Sequence, residues 1–203
     1  MIEPGAIIAI HRNKRNPFAW LATNLVEPHT EMFHYLLVRD WVPYASDYEF
    51  MESNAIGIFP KGIRSGYLED YANCDCEIYK VDCPEDLAKA APLELIRWGN
   101  AKYDFLFYAK VIGDGLKAFL KMIKERKFRK LRPEDFTWSA GSDVVCTAAV
   151  WVGYNAVGVN IVPLGVAPIP AAFQQAIDKG LLQIVYKGPL PHFSTLSSSI
   201  EES

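Results

Sequence analysis

No charged residue occurs between Asp143 and Asp178, and no other feature of the chain restricts its folding so strongly. A run this free of charge belongs inside a membrane or inside a protein core. Asn155, Asn160, Pro163, Pro168 and Pro170 interrupt it, and its compact apolar part extends only from Val144 to about Val152. Crossing a bilayer takes about 20 predominantly apolar residues in one helix. The pattern therefore predicts a buried helix over 144–157, apolar on every side, followed by a Pro-rich loop. Such a helix must be covered all round by the rest of the chain. With 203 residues, 50% hydrophobic and 22% charged, the chain has the apolar material to do so, which excludes wholesale disorder and fibrous classes. One domain over 1–193 is expected, with a disordered Ser-rich tail over 194–203.

What surrounds the helix changes character along the chain. Short apolar runs at 6–10, 33–39, 48–52, 56–59 and 77–81, separated by Gly, Pro and Asn, predict strands, with a short helix over 18–25. Pro84-Glu85-Asp86 opens a helix expected to end near Gly99. Further helices are expected at 103–110, 115–130 and 171–179, the last closed by Gly180, and a final strand at 182–187. Strands first and helices later give an α+β fold, a mainly antiparallel sheet packed by helices.

The formal charge is −3, which argues against a dedicated nucleic-acid binder. Residues 117–132 hold eight Lys/Arg and one Glu, so this stretch is +7 and the remainder −10. A basic helix is commonly a solvated face. Ile112, Leu116, Phe119, Leu120 and Ile123 beside it would allow contact with anionic lipid through 117–132, but the overall charge and the lack of a visible lipid anchor argue for weak binding or none. No basic n-region followed by an apolar run opens the chain, so a cytoplasmic location is expected.

Among the residues able to do chemistry, Cys146 has the most telling surroundings. Gly141-Ser142-Asp143 reads as a loop with an N-capping Asp, and Val144-Val145-Cys146 as a first helical turn. A sulfur there meets the positive end of the helix and several free backbone N–H groups, which favour a thiolate and could hold an oxyanion. An inert buried cysteine has the same local sequence. A nucleophilic thiol needs a base, and His34 lies inside a strand beside Leu36 and Val38; Glu52, at the end of a strand carrying Tyr48 and Phe50, could orient the imidazole. His11, His29 and His192 lie in polar or Pro-rich contexts. Cys74, Cys76 and Cys83 have a C-x-C spacing unlike that of zinc sites, and no phosphate-binding glycine loop is present, so no metal and no cofactor is expected.

The order His34, Glu52, Cys146 is rotated relative to papain-like enzymes, which usually run Cys first. Phe33-His34-Tyr35-Leu36-Leu37-Val38 and Phe50-Met51-Glu52-Ser53 resemble the His and Glu strands of the YiiX-like amidases, the circularly permuted, papain-fold branch of the NlpC-type cysteine peptidases. Lys102-Tyr103-Asp104-Phe105 resembles the family's "YD" segment, Val145-Cys146-Thr147-Ala148 its nucleophile helix, and Pro4-Gly5-Ala6-Ile7-Ile8 its opening. The likeness covers roughly residues 4–155. Ala6 stands where the family usually has Asp, Thr147 where it has Ser, and the basic insert 117–132 separates the YD segment from the cysteine.

The resemblance implies a circularly permuted papain-like fold with the nucleophile at the start of a buried helix. It also implies a Cys146–His34–Glu52 triad cleaving an amide, in a peptide or amidated cell-wall fragment, through a thioester. Tyr35, Tyr103 and Thr147 are its substrate-binding candidates. The related lecithin:retinol acyltransferase-like proteins make lipid acyl hydrolysis or transfer the alternative. A non-catalytic binding or structural module, such as a phage or cell-envelope component, is a third.

Overall fold

A computed structural model of the chain describes residues 2–11, 24, 26–56, 59–99, 101–102, 104–138 and 144–191. Its centre is one antiparallel sheet of six strands: β1 (Ile7–His11), β2 (Met32–Val42), β3 (Asp47–Ile56), β4 (Phe59–Tyr67), β5 (Asp75–Val81) and β6 (Leu182–Pro189). They are ordered β4-β3-β2-β1-β5-β6. The described helices are α1 (Glu85–Ile96), α2 (Phe105–Glu125), α3 (Cys146–Ala156) and α4 (Pro170–Asp178). The architecture is α+β, as the change from strand to helix patterning leads one to expect.

Period-two alternation divides each central strand between two apolar layers. Ile7, Ala9, Tyr35, Leu37, Met51 and Tyr79 join the buried faces of α1, α3 and α4 in the larger layer. Ile8, Ile10, Leu36, Val38, Phe50 and Ile78 form the smaller one with Tyr48 and Leu68. Helix α3 is buried from Cys146 to Tyr154, so the charge-free run is indeed a core helix.

Several boundaries differ from the sequence pattern. The run at 56–59 is divided between two strands, since Ile56 ends β3 and Phe59 begins β4, a strand that the pattern does not reveal. Pro60, Gly62 and Gly66 disguise it, since all three are turn-forming residues. Gly62 has φ +73°, and a Cβ there would lie 1.8 Å from the Ala101 carbonyl oxygen. At Gly66 a Cβ would fall 2.7 Å from the Phe50 ring. Both glycines are required by close approach.

The helices expected at 103–110 and 115–130 are the single helix α2, which runs through Gly113 and Gly115 and stops at Arg126 in the left-handed region. Each glycine costs the helix only about 1 kcal/mol, which packing of the helix outweighs. Pro84 is the N-cap of α1 rather than part of its first turn, and Arg97 is already its C-cap. Helix α3 starts at Cys146, two residues later than expected, with Val145 as N-cap. The expected cap Asp143, the substrate-binding candidate Tyr103, most of the 18–25 helix and the tail lie outside the described residues. No described helix is long and apolar enough to cross a membrane.

Candidate functional site

The site forms where the first turn of α3 meets β2 and β3. On β2 the register pairs Ile10 with His34 but His11 with Met32, leaving Phe33 as an extra residue. Such a bulge bends the strand and re-aims its side chains. The Phe33 carbonyl accepts a hydrogen bond from Cys146 Sγ at 3.8 Å, which places the sulfur beside the residue that precedes His34, close enough to act on the charge of its imidazole. Residues 112 positions apart in sequence thus meet at one point.

Glu52 is completely buried. Its Oε2 accepts from His34 Nε2 at 2.5 Å and from the Tyr71 hydroxyl at 2.7 Å. Its Oε1 accepts from Arg64 Nε at 2.6 Å and Asn54 Nδ2 at 3.0 Å, with Arg64 Nη2 at 2.5 Å. Tyr71 lies stacked on the imidazole with ring centroids 5.6 Å apart, its hydroxyl 3.0 Å from His34 Nε2. A buried charge is tolerated only when paired and hydrogen-bonded, and this one is held on both oxygens.

Burial works against charge on both partners, and their neighbours overcome it. Desolvation would raise the Glu52 pKa, yet the hydrogen bond and charge of His34, with donors Tyr71 and Asn54, lower it from 4.5 to about 2. Desolvation would lower the His34 pKa, but the charge and hydrogen bond of Cys146, followed by those of Glu52, raise it from 6.5 to about 10. The two shifts favour an imidazolium held against the Glu52 carboxylate.

The peptide ahead of the nucleophile is fixed separately. Ser53 Oγ donates to the Val144 carbonyl at 2.5 Å, and Val144 N–H donates to the Lys102 carbonyl at 3.0 Å. Ile63 N–H in turn donates to Ala101 O, whose close approach Gly62 permits.

The structure therefore brings Cys146, His34 and Glu52 together. Of the substrate-binding candidates, Tyr35 is buried with its ring 4.7 Å from that of Phe173, and burial, then the charges of Cys146 and Glu77, push its hydroxyl upward. Thr147 is buried as well. Sequence reasoning missed Arg64, Tyr71, Asn54 and Ser53. Arg64 stands directly opposite Glu52 in the β3–β4 register, so a correctly placed β4 would have shown the charge pair. The other cysteines are unpaired thiols: burial, then Asp75, pushes Cys76 up to about 11, and burial, then Asp82, raises Cys83. Among the described residues no cluster of His, Cys, Asp and Glu could hold a metal ion. No protein-family model matches the chain, and no curated protein matches it.

Proposed function

We propose that this chain is a cysteine-dependent amidase or peptidase with a circularly permuted papain-like fold. The observation that carries the reading is the meeting of Cys146, at the first turn of a buried helix, with an imidazole whose other side is held by the buried Glu52. With Nε2–H donated to Glu52, Nδ1 is the nitrogen left to exchange a proton with Cys146, and the raised pKa of His34 favours that proton resting on the ring as the sulfur attacks. The sulfur attacks an amide carbonyl, and the developing oxyanion is held by the Cys146 N–H at the helix N-terminus. His34 returns the proton to the leaving amine as the C–N bond breaks, giving a thioester and free amine. Water, deprotonated by the same imidazole, then releases the acid and regenerates the thiol.

The test is mass spectrometry of the protein mixed with a panel of peptide anilides, alongside its Cys146→Ala variant. Release of aniline and a Cys146 acyl adduct, both missing from the variant, are expected. Equal aniline release by both proteins, or no adduct together with Cys146 alkylation by iodoacetamide no faster than that of Cys74, refutes the reading.

A further inference from the structure

Helix α2 presents three faces where a helix packed on one side needs only two. Phe107 and Met122 are buried, and Gly115 lies against Phe136 and Leu131, which marks the side toward the protein body. Ile112, Leu116, Phe119, Leu120 and Ile123 follow the i, i+4, i+7, i+8, i+11 spacing of a single stripe, and each is between 46% and 58% exposed. Lys117, Lys121 and Lys124 form a parallel row about 100° further round the helix. Lys117 and Lys121 meet acids only at 3.6 Å from Asp114 and 4.0 Å from Glu125, the long end of ion pairing.

Exposed apolar residues scattered singly are ordinary, but an unbroken stripe over three turns is not. From this juxtaposition we infer that α2 docks on an anionic lipid bilayer, its apolar stripe entering the acyl boundary and its lysine row meeting the headgroup phosphates. The stripe runs along an exposed helix, which can lie in the plane of a bilayer interface. The lysines lie along one edge of it, where their stems follow the apolar surface and their ammonium groups reach the headgroups. A second copy of this chain is the poorer occupant: in an antiparallel two-fold contact through α2 the two lysine rows would run along the same edge and repel. The overall charge of −3 does not oppose docking. Within a Debye length of about 8 Å at physiological salt, the field at the helix comes mainly from residues 117–132, whose +7 is only partly offset by Asp114, 3.6 Å from Lys117, and Asp135, 2.6 Å from Arg129.

The experiment is co-sedimentation of the whole chain with vesicles of phosphatidylcholine alone or mixed with phosphatidylserine, at low and physiological salt. Binding to the anionic vesicles alone, weakened by salt, is expected. Joint replacement of Lys117, Lys121 and Lys124 by Gln should lower it about a hundredfold, near fivefold per lysine. The Leu116→Gln, Leu120→Gln double variant should lose binding at both salt concentrations. These side chains are exposed, so circular dichroism should show both variants folded, and a Phe119→Trp reporter should shift its emission to the blue on anionic vesicles. Equal pelleting with both vesicle types, or none with either, overturns the inference. So does a dimer that the leucine variant dissociates while vesicle binding is absent, since the stripe would then belong to a second copy. No turnover is read, so the result is independent of the chemistry at Cys146.

Discussion

Replacing Glu52 by Gln tests whether the buried carboxylate holds the site together. The change preserves shape and removes one charge and one acceptor. In the native protein the two oxygens serve His34 and Tyr71 on one side, Arg64 and Asn54 on the other. An amide can present its carbonyl to only one of these sides, and its NH2 then faces donors on the other. Hydrogen bonds to charged groups contribute about 1.5–3 kcal/mol each, and breaking a buried pair costs about 3–5 kcal/mol. The Arg64 side chain is 33% exposed and can turn its orphaned charge toward water, which places the loss near the lower end, about 3 kcal/mol. At about 2–4 °C per kcal/mol for a chain of this size, melting should fall by about 6–12 °C.

The pH dependence gives this prediction a distinctive signature. Glu52 is depressed from 4.5 to about 2, so its contribution is present above 4.5 and is lost as pH falls through about 2. The stability gap between wild type and variant should therefore be constant from neutral pH down to 4.5 and close between 4.5 and about 2. His34 is raised from 6.5 to about 10, so its contribution is complete below 6.5 and is lost as pH rises through about 10. Without Glu52 that alkaline loss should be smaller. Urea unfolding followed by tryptophan fluorescence across this range measures both limbs. A neutral-pH gap below about 1 kcal/mol, or one that does not close in acid, would refute the account of Glu52 as a buried, doubly held anion.

Two further outcomes follow from the geometry. In Cys146→Ala, His34 loses its two largest raising influences while desolvation remains, so its ring protons should titrate at lower pH by NMR than in the wild type; an unchanged midpoint would mean the sulfur does not charge the imidazole. Gly62→Ala puts a side chain at φ +73° and 1.8 Å from Ala101 O, and should cost about 2 kcal/mol or more in denaturant unfolding while slowing alkylation of Cys146; a variant that unfolds with the wild type would show that segment 101–102 yields freely.

How much of this is legible in the sequence depends on whether the signal is local. The short apolar runs AIIAI and FHYLLV predict β1 and β2, and the charge-free run predicts α3, because each pattern arises from burial of that segment alone. The sequence also singles out Cys146, His34 and Glu52, the three side chains that meet. It hides β4, because Gly62 and Gly66 answer to Ala101 and Phe50, which lie far along the chain. It hides Arg64 and Tyr71 for the same reason: what satisfies a buried carboxylate depends on register, and no spacing along one strand records it. It divides α2 at its glycines, because local propensity counts Gly113 and Gly115 as breaks and cannot see Gly115 lie against Phe136 and Leu131.

That dependence on register also explains how a fold this simple can hold a reactive group in place. Glu52 and Ser53 are neighbours on β3, and the pleat sends them to opposite faces of the sheet. Glu52 grips the imidazole from one side, while Ser53 fixes the carbonyl two residues before Cys146 from the other. The relative position of base and sulfur is thus set across a single peptide unit of β3. A slip of one residue would carry the carboxylate to the helix layer and the serine to the smaller apolar layer, breaking both grips at once. The pairs Glu52↔Arg64 and Ser53↔Ile63 oppose that slip, the first because moving it would leave a buried anion without its guanidinium. Arg64 therefore has two effects. By occupying Oε1 it leaves Oε2 for His34, and by its charge it locks the strand register on which the approach of His34 to Cys146 depends.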